Sequence, residues 1–367
     1  MGKKLKIAFD AKRLFHNKEG LGTYARTLVE DLQENYPEHD YILCTPSLSD
    51  EDFAEPFHDE SKYSILTAGA NVPGALWRSK TIVTDLEKAG VDIYFGLSNE
   101  LPFGIQNSVV KSIVTIHDVL FREFPQQFSI ADRWIYKKKF QHALQASDHV
   151  MATSRHTKSD IIKHFAHQED KITVAYQPVS SIFRTAPFIE SHEKRHYLFV
   201  GTINARKNLE YILEAYSLLP KNQLRKLVVV GEGKAYKQKM KELSSQYQLE
   251  EWIDFVGNVS DLELLELYQQ AIGLIFPSKY EGFGRPLLEA LTLRIPVITG
   301  RNSSLPEVVG KYGTIIEYDR AELLVAAIEK HNKSTNGNDR FTGLENHLDK
   351  FSPENHSNLI MSLLRAL

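Results

Sequence analysis

Glu281 and Glu289 stand eight positions apart in "PSKYEGFGRPLLEAL", residues 277–291, with Gly282, Phe283 and Gly284 turning the chain between them. Pro286 suits the first turn of a helix, where its missing N–H costs no hydrogen bond. The spacing therefore predicts "PLLEALTLR" as helix and "SKYEGFGR" as the loop before it. Glycines at 282 and 284 let the backbone bend sharply and leave amides at the positive end of that helix, a setting suited to a phosphate or to sugar hydroxyls. Glu281 then lies in the loop and Glu289 near the end of the first helical turn, so that they approach one site from two sides. A dipole-stabilising Glu289 beside a solvated Glu281 accounts for the same residues equally well.

Two further stretches put reactive residue types at the ends of apolar runs, and a third places glycines before a helix ten residues and more after a strand. After "HYLFVGT", Arg206 and Lys207 in "TINARKN" precede the helical pattern "NLEYILEAYSLL", with Asn204 or Asn208 able to cap it. Two cations at a helix N-terminus oppose the dipole unless a polyanion such as a diphosphate lies between them and the amides; exposed surface charge is the alternative. His117 and Asp118 end the strand pattern "VTIHDV", where the histidine suits a general base, a donor to substrate or a structural pair. Gly20 and Gly22 in "FHNKEGLGTYA" precede a helix predicted to begin near Tyr24, another backbone anion site. As a dinucleotide fingerprint the pattern lacks its third glycine.

The elements that must position these residues follow from the rest of the chain. Its 367 residues exceed one typical core, at about 100–200 residues per domain, and imply two. A hydrophobic fraction of 42% and a charged fraction of 25% are those of a globular protein, and a formal charge of -3 offers no basic field for nucleic acid. The single cysteine, Cys44, excludes an intramolecular disulfide and a cysteine-based zinc site, and packs as a small apolar residue in "YILCT". The N-terminus shows no apolar signal-peptide core, and no apolar run approaches the roughly 20 residues of a spanning helix. A cytoplasmic protein is expected, with any membrane contact peripheral at the inner face of the plasma membrane.

Six short apolar runs in the first half, from "LKIAFDA" to "KITVAY", and six in the second, from "HYLFVGT" to "GTIIEY", alternate with amphipathic helical patterns. That alternation predicts parallel sheets covered by helices on both faces. Periodicity lapses between about 177 and 196, giving expected domains of 1–180 and 181–352, each doubly wound and Rossmann-like. The stretch 330–340 is predicted to be a polar loop.

Two such halves, "RKN" after the first strand of the second half, and paired glutamates in "EGFGRPLLE" resemble the retaining nucleotide-sugar glycosyltransferases of family 4. "IAFDAKRL", "GLGTYARTL", "VTIHDVLFREFP", "SDHVMATSRHTKSDI", "VGNVSDLELLELYQQA" and "SSLPEVVG" extend the resemblance, in order, over nearly the whole chain. It implies the α/β fold called GT-B, with two Rossmann-like domains whose sheets face across a cleft, an acceptor-binding first half and a donor-binding second half. It also implies a terminal helix, 353–367, that returns to the first domain.

By the resemblance, Lys207 neutralises the donor diphosphate with Arg206 assisting, and Thr202 stands where many relatives carry a second arginine. Glu281 faces the donor sugar, the Gly282, Phe283 and Gly284 amides contact its hydroxyls or phosphate, and Glu289 binds the ribose. His117 lies near the reacting sugar and Gly22 near the diphosphate. The implied reaction needs no cofactor and no metal. It moves a hexose, mannose favoured, from GDP-mannose or a UDP-sugar to a saccharide or lipid-linked saccharide acceptor in bacterial polysaccharide or lipopolysaccharide assembly. A nucleotide-sugar epimerase, a phosphorylase and a catalytically silent sugar-nucleotide binder are the competing readings. Epimerases of this kind lack the "EGFGRPLLE" arrangement, and the sequence offers no cofactor lysine for a phosphorylase. Between 121 and 140, Phe121, Phe124, Phe128, Trp134 and Phe140 alternate with Arg122, Arg133 and Lys137 to Lys139. That mixture suits either anionic lipid headgroups or an ordinary helix with an aromatic core face.

Overall fold

A computed structural model describes residues 3–70, 72–187, 195–333 and 339–367. Residues 188–194 of the expected boundary stretch and 334–338 of the expected polar loop lie outside the described residues. The chain forms two compact units, Met1–Pro178 with Lys350–Leu367, and Val179–Asp349.

The first unit is a seven-stranded parallel sheet of β1 (Lys6–Asp10), β2 (Asp40–Thr45), β3 (Tyr63–Thr67), β4 (Ile93–Gly96), β5 (Lys111–Ile116), β6 (His149–Ala152) and β7 (Ile172–Val174), in the order β3-β2-β1-β4-β5-β6-β7. Strand side chains alternate between faces, and each face is covered. Ile7 and Phe9 enter a core shared with Tyr24, Leu28 and Leu32 of the helix Gly20–Asn35 and with Ile360, Met361 and Leu364 of the helix Pro353–Ala366. Ala8 and Cys44 point into the opposite core, with Leu86 of the helix Ile82–Lys88 and Leu144 of the helix Ile130–Ala146. Burial pushes the Cys44 thiol up, in keeping with a small apolar role.

The second unit is a six-stranded parallel sheet of β8 (His196–Val200), β9 (Lys226–Val230), β10 (Ile253–Gly257), β11 (Ala271–Phe276), β12 (Val297–Gly300) and β13 (Gly313–Ile316), ordered β10-β9-β8-β11-β12-β13. Tyr197 and Phe199 of β8 pack with Leu209 and Ile212 of the helix Leu209–Leu218 and with Leu324 and Ile328 of the helix Ala321–Lys333. Both units are thus doubly wound and Rossmann-like.

The expected elements differ from this fold in two places. β3 is absent from the predicted strands: it is a sheet edge, and only Tyr63 of its five residues is buried, so it lacks a continuous apolar run. The helix expected near Tyr24 begins at Gly20, so both glycines lie within its first turn. Gly22 is required there because a Cβ would stand 1.7 Å from the Asn17 carbonyl oxygen, and this close approach outweighs glycine's poor helix propensity.

Candidate functional site

In an open parallel sheet, ligands bind beyond the strand carboxyl ends where the strand order reverses. In the second unit that point lies between β8 and β11, which hydrogen-bond in parallel. The loop after β8 starts at Gly201, in the left-handed half of backbone space at φ +134°. Asn204 Oδ1 then accepts from the Arg206 and Lys207 amides, both at 3.1 Å, and Asn208 stands at the N-cap position of the next helix at φ +61° without a side-chain capping bond. The Arg206 carbonyl accepts from Lys279 N at 2.8 Å, which ties this loop to the one after β11.

These ties bring three side chains to one carboxylate oxygen. Glu281 Oε1 accepts from Lys207 Nζ at 2.7 Å, Arg206 Nη1 at 2.8 Å and Ser278 Oγ at 2.6 Å. Lys207 is buried, with its ammonium 4.6 Å from the Phe276 ring centroid. Burial alone would raise the Glu281 carboxyl, but Lys207 and Arg206 outweigh it and hold it below the usual carboxylate range. Burial, and then Arg206, draw the Lys207 ammonium down in spite of Glu281. Two cations and one carboxylate leave the cluster with excess positive charge, and Arg206 Nε is buried without a hydrogen-bond partner. The arrangement can accept an anion.

Glu281 also starts the turn into the helix Arg285–Thr292. Gly284 caps it at φ +103°, where only glycine is unstrained, and Pro286 occupies the first turn. Ser303 Oγ accepts from the Glu281 amide at 2.9 Å, and Ser304 Oγ lies 2.9 Å from the Glu281 carbonyl and 2.8 Å from that of Phe283. Phe283 is buried and Gly282 half-buried. Glu289 is the fifth residue of the helix, one position beyond its expected place, and it is buried. Tyr268 Oη donates to it at 2.9 Å and Arg285 Nη2 lies 3.8 Å away, while burial raises its carboxyl. Thr202 is exposed beside Gly201. Ser278, Ser303, Ser304, Tyr268 and Arg285 are not singled out by the sequence reading, although all but Ser278 lie in segments that carry the family resemblance.

The residues expected from the first half lie in the first unit. His117 follows β5 and is buried; its Nε2 donates to the Leu97 carbonyl at 2.8 Å and its Nδ1 accepts from Gln177 Nε2 at 3.2 Å. Tyr24 meets its ring edge-on at 4.7 Å. Asp118 accepts from the Leu120 amide at 2.9 Å, which turns the chain into the next helix. The Gly22 amide donates to the Glu19 carbonyl at 2.8 Å.

At this unit's own reversal point, between β1 and β4, lies a network that the sequence reading did not single out. Arg78 holds both Asp10 oxygens, with Nη2 to Oδ2 at 2.5 Å, and reaches Glu100 Oε2 at 2.6 Å; Lys139 Nζ lies 3.1 Å from Glu100 Oε1. Burial alone would raise Glu100, but Arg78 and Lys139 hold it low. Among the described residues, Glu123, Asp160 and His164 are close enough to converge on a metal ion, but Lys163 and His164 already pair with Glu123 at 2.9 and 2.5 Å.

Residues 18–181 match the family model described as Glycosyltransferase Family 4, and residues 184–342 match Glycosyl transferases group 1. O-antigen chain mannosyltransferase B of Escherichia coli is 29% identical over 248 residues, 64% of each chain. O-antigen chain mannosyltransferase RfbU of Salmonella typhimurium is 26% identical over 252 residues, 67% of each. The match to the first of these spans just under two thirds of that relative's length. Anabaena Alr3699/HepE, solved in complex with UDP and glucose, superposes with a TM-score of 0.75 at 16% identity, over 99% of this chain and 100% of that one. WaaG, a glycosyltransferase involved in lipopolysaccharide biosynthesis, gives 0.71 at 18% identity, over 96% and 99%.

Proposed function

Because the chain belongs to the family 4-like glycosyltransferases of GT-B fold, we propose that it moves a hexose, mannose ahead of glucose, from a nucleoside-diphosphate sugar to a saccharide or lipid-linked saccharide acceptor in polysaccharide assembly of the O-antigen kind. The observation that carries this reading is the meeting of Arg206, Lys207 and Glu281 at the carboxyl ends of β8 and β11. The mannosyltransferase names of two relatives favour mannose, and a GDP-sugar is the donor we assign.

In this reading the bond from the anomeric carbon to the diphosphate breaks with its electrons on the leaving oxygen. Lys207 and Arg206 stabilise that charge, work that the reading gives to them rather than to a metal. Glu281 accepts from donor-sugar hydroxyls, Gly282, Phe283 and Gly284 line the sugar and phosphates, and Thr202 adds a hydroxyl at the same strand end. Glu289, held by Tyr268, takes the ribose. Within the first unit, Tyr24 and Gln177 fix the His117 ring. The acceptor oxygen attacks from the face the phosphate leaves and its proton passes to that phosphate, so configuration is retained.

A thermal-shift screen against GDP-, UDP- and ADP-sugars tests the donor assignment. A ligand at 100 times its Kd stabilises the folded protein by about 2.7 kcal/mol. Stabilisation by GDP-mannose, with glycosyl transfer that survives EDTA and is lost in Lys207→Ala, is the expected result. Failure of every nucleotide sugar to stabilise the protein overturns the reading.

A further inference from the structure

Three adjacent strands of the second unit, β8, β9 and β10, are each closed by a glycine of positive φ: Gly201, Gly231 and Gly257. The Gly201 amide donates to the Val230 carbonyl at 3.0 Å, the Gly231 amide to the Gly257 carbonyl at 2.8 Å and the Ile203 amide to the Glu232 carbonyl at 2.7 Å. The loops leaving these strands thus form one hydrogen-bonded ledge. It runs from Gly201, against which Lys207 lies, across a strand spacing of about 4.8 Å to β9 and a second to β10. On the ledge Glu232 and Lys237 pair at 2.9 Å, with side chains 54% and 15% exposed. A Cβ at Gly257 would stand 2.8 Å from Glu232 Oε1, so the missing side chain leaves room for the carboxylate over the end of β10. Folding does not account for the pair. Lys237 sits in the first turn of the helix Lys234–Gln246, where the dipole opposes a cation, and an exposed ion pair is worth at most about 1 kcal/mol.

The pair presents two acceptor oxygens and a donor side by side. A guanine presents the complement along its Watson–Crick edge, since N1–H and the N2 amino group donate while O6 accepts. Uracil offers one N–H between two carbonyl oxygens, so that one of them would face a carboxylate oxygen. Adenine offers an amino group but a bare acceptor at N1, which would meet the same repulsion. We propose that Glu232 and Lys237 choose the base of the donor nucleotide, the carboxylate accepting from N1–H and the N2 amino group of a guanine and the ammonium donating to its O6. This rests on the nucleoside-diphosphate reading of Arg206 and Lys207 and adds to it the residues that select among nucleotides. The phosphates then lie at the end of β8, and the base reaches along the ledge to β9 and β10.

The experiment titrates the full chain calorimetrically with GDP, IDP and UDP, where IDP is GDP without the N2 amino group. GDP is expected to bind about tenfold tighter than IDP, the scale of one hydrogen bond to a charged group, and tighter than UDP. In Glu232→Gln the preference for GDP over IDP should vanish, with GDP weakened by about tenfold or more. Lys237→Met should weaken GDP and IDP alike, by about tenfold, and keep the preference, because both carry O6. The comparison of GDP with IDP needs no variant, and unchanged circular dichroism shows that the two variants are folded. Equal binding of GDP and IDP, or of GDP and UDP, by the parent overturns the assignment. So does a preference for GDP over IDP that survives Glu232→Gln. A parent that binds none of the three overturns the donor reading itself and the assignment with it.

Discussion

Lys207 Nζ lies 2.7 Å from Glu281 Oε1, and Arg206 reaches the same oxygen at 2.8 Å. Glu281 is therefore the counter-ion of both cations that a diphosphate would use. In the proposed reading, donor binding would exchange one anion for another, with the phosphates taking the cations and the carboxylate turning to the sugar.

Glu281→Gln separates these roles. Removing one partner of a buried ion pair costs about 3–5 kcal/mol, because the other charge stays behind uncompensated. The variant should melt earlier than the parent and gain more stability from a nucleoside diphosphate, which restores the missing anion. Glycosyl transfer should fall by about 10²-fold or more, the scale of losing a group that acts in the transition state. Scanning fluorimetry with and without GDP and UDP, beside a product assay, measures both. A smaller ligand-induced rise in Glu281→Gln than in the parent refutes the exchange.

The ammonium owes its position to Gly201. A Cβ there would stand 3.2 Å from Lys207 Cε and Nζ, on a backbone at φ +134° that other residues rarely adopt. Gly201→Ala should cost about 1–3 kcal/mol in backbone strain and displace Lys207 from Phe276 and Glu281. Calorimetric titration with GDP should then show about tenfold weaker binding, one hydrogen-bonded charge misplaced. Unchanged affinity would mean that Lys207 is held by Glu281 and Phe276 alone.

The sequence shows these residues but not their pairing. Pro286 and two glycines mark the start of a helix because proline and glycine act through local backbone geometry, and the helix Arg285–Thr292 follows them closely. The ion pair of Lys207 with Glu281 depends on β8 lying beside β11, a tertiary fact with no local signature. Ser303 and Ser304 illustrate the same limit: hydroxyls are common in loops, and only the fold shows that these two hold the Glu281 turn. Gly22 misled in the other direction, since two glycines read as the loop before a helix until the Asn17 carbonyl packed against Gly22 is seen. Arg78 gave no signal, being joined to Asp10 from 68 positions away.

His356 predicts a pH dependence. It is buried on the helix Pro353–Ala366, both ring nitrogens lack hydrogen-bond partners, and burial lowers its pKa to about 4. The folded value lies below the unfolded one of about 6.5, so the unfolded state binds the proton more readily. The stability this group contributes is fully present above pH 6.5 and is lost as pH falls towards 4. At about 1.4 kcal/mol per unit the loss is about 3 kcal/mol for the first unit. His356→Phe should remove that part of the acid sensitivity, read as a flatter dependence of urea unfolding free energy on pH between 7 and 4. A parallel dependence in both proteins would place the acid sensitivity elsewhere, for instance at His331, which burial also lowers to about 4.

The same helix completes the first unit's core. Ile360, Met361 and Leu364 are buried in one cluster with Phe9 of β1 and Leu28 of the helix Gly20–Asn35. Losing a buried side chain of this size costs about 2–5 kcal/mol. Three of them together approach or exceed the 5–15 kcal/mol that holds a domain folded. Deletion of 353–367 should therefore unfold the first unit, whereas Ile360→Ala alone should leave it folded and weakened by about 2–5 kcal/mol. The second unit shares none of these side chains, so hydrogen exchange should show β1 and β2 losing protection while β8 and β11 keep theirs. Protection of β1 in the truncated chain equal to that in the full chain would show that the remaining helices cover this face without it.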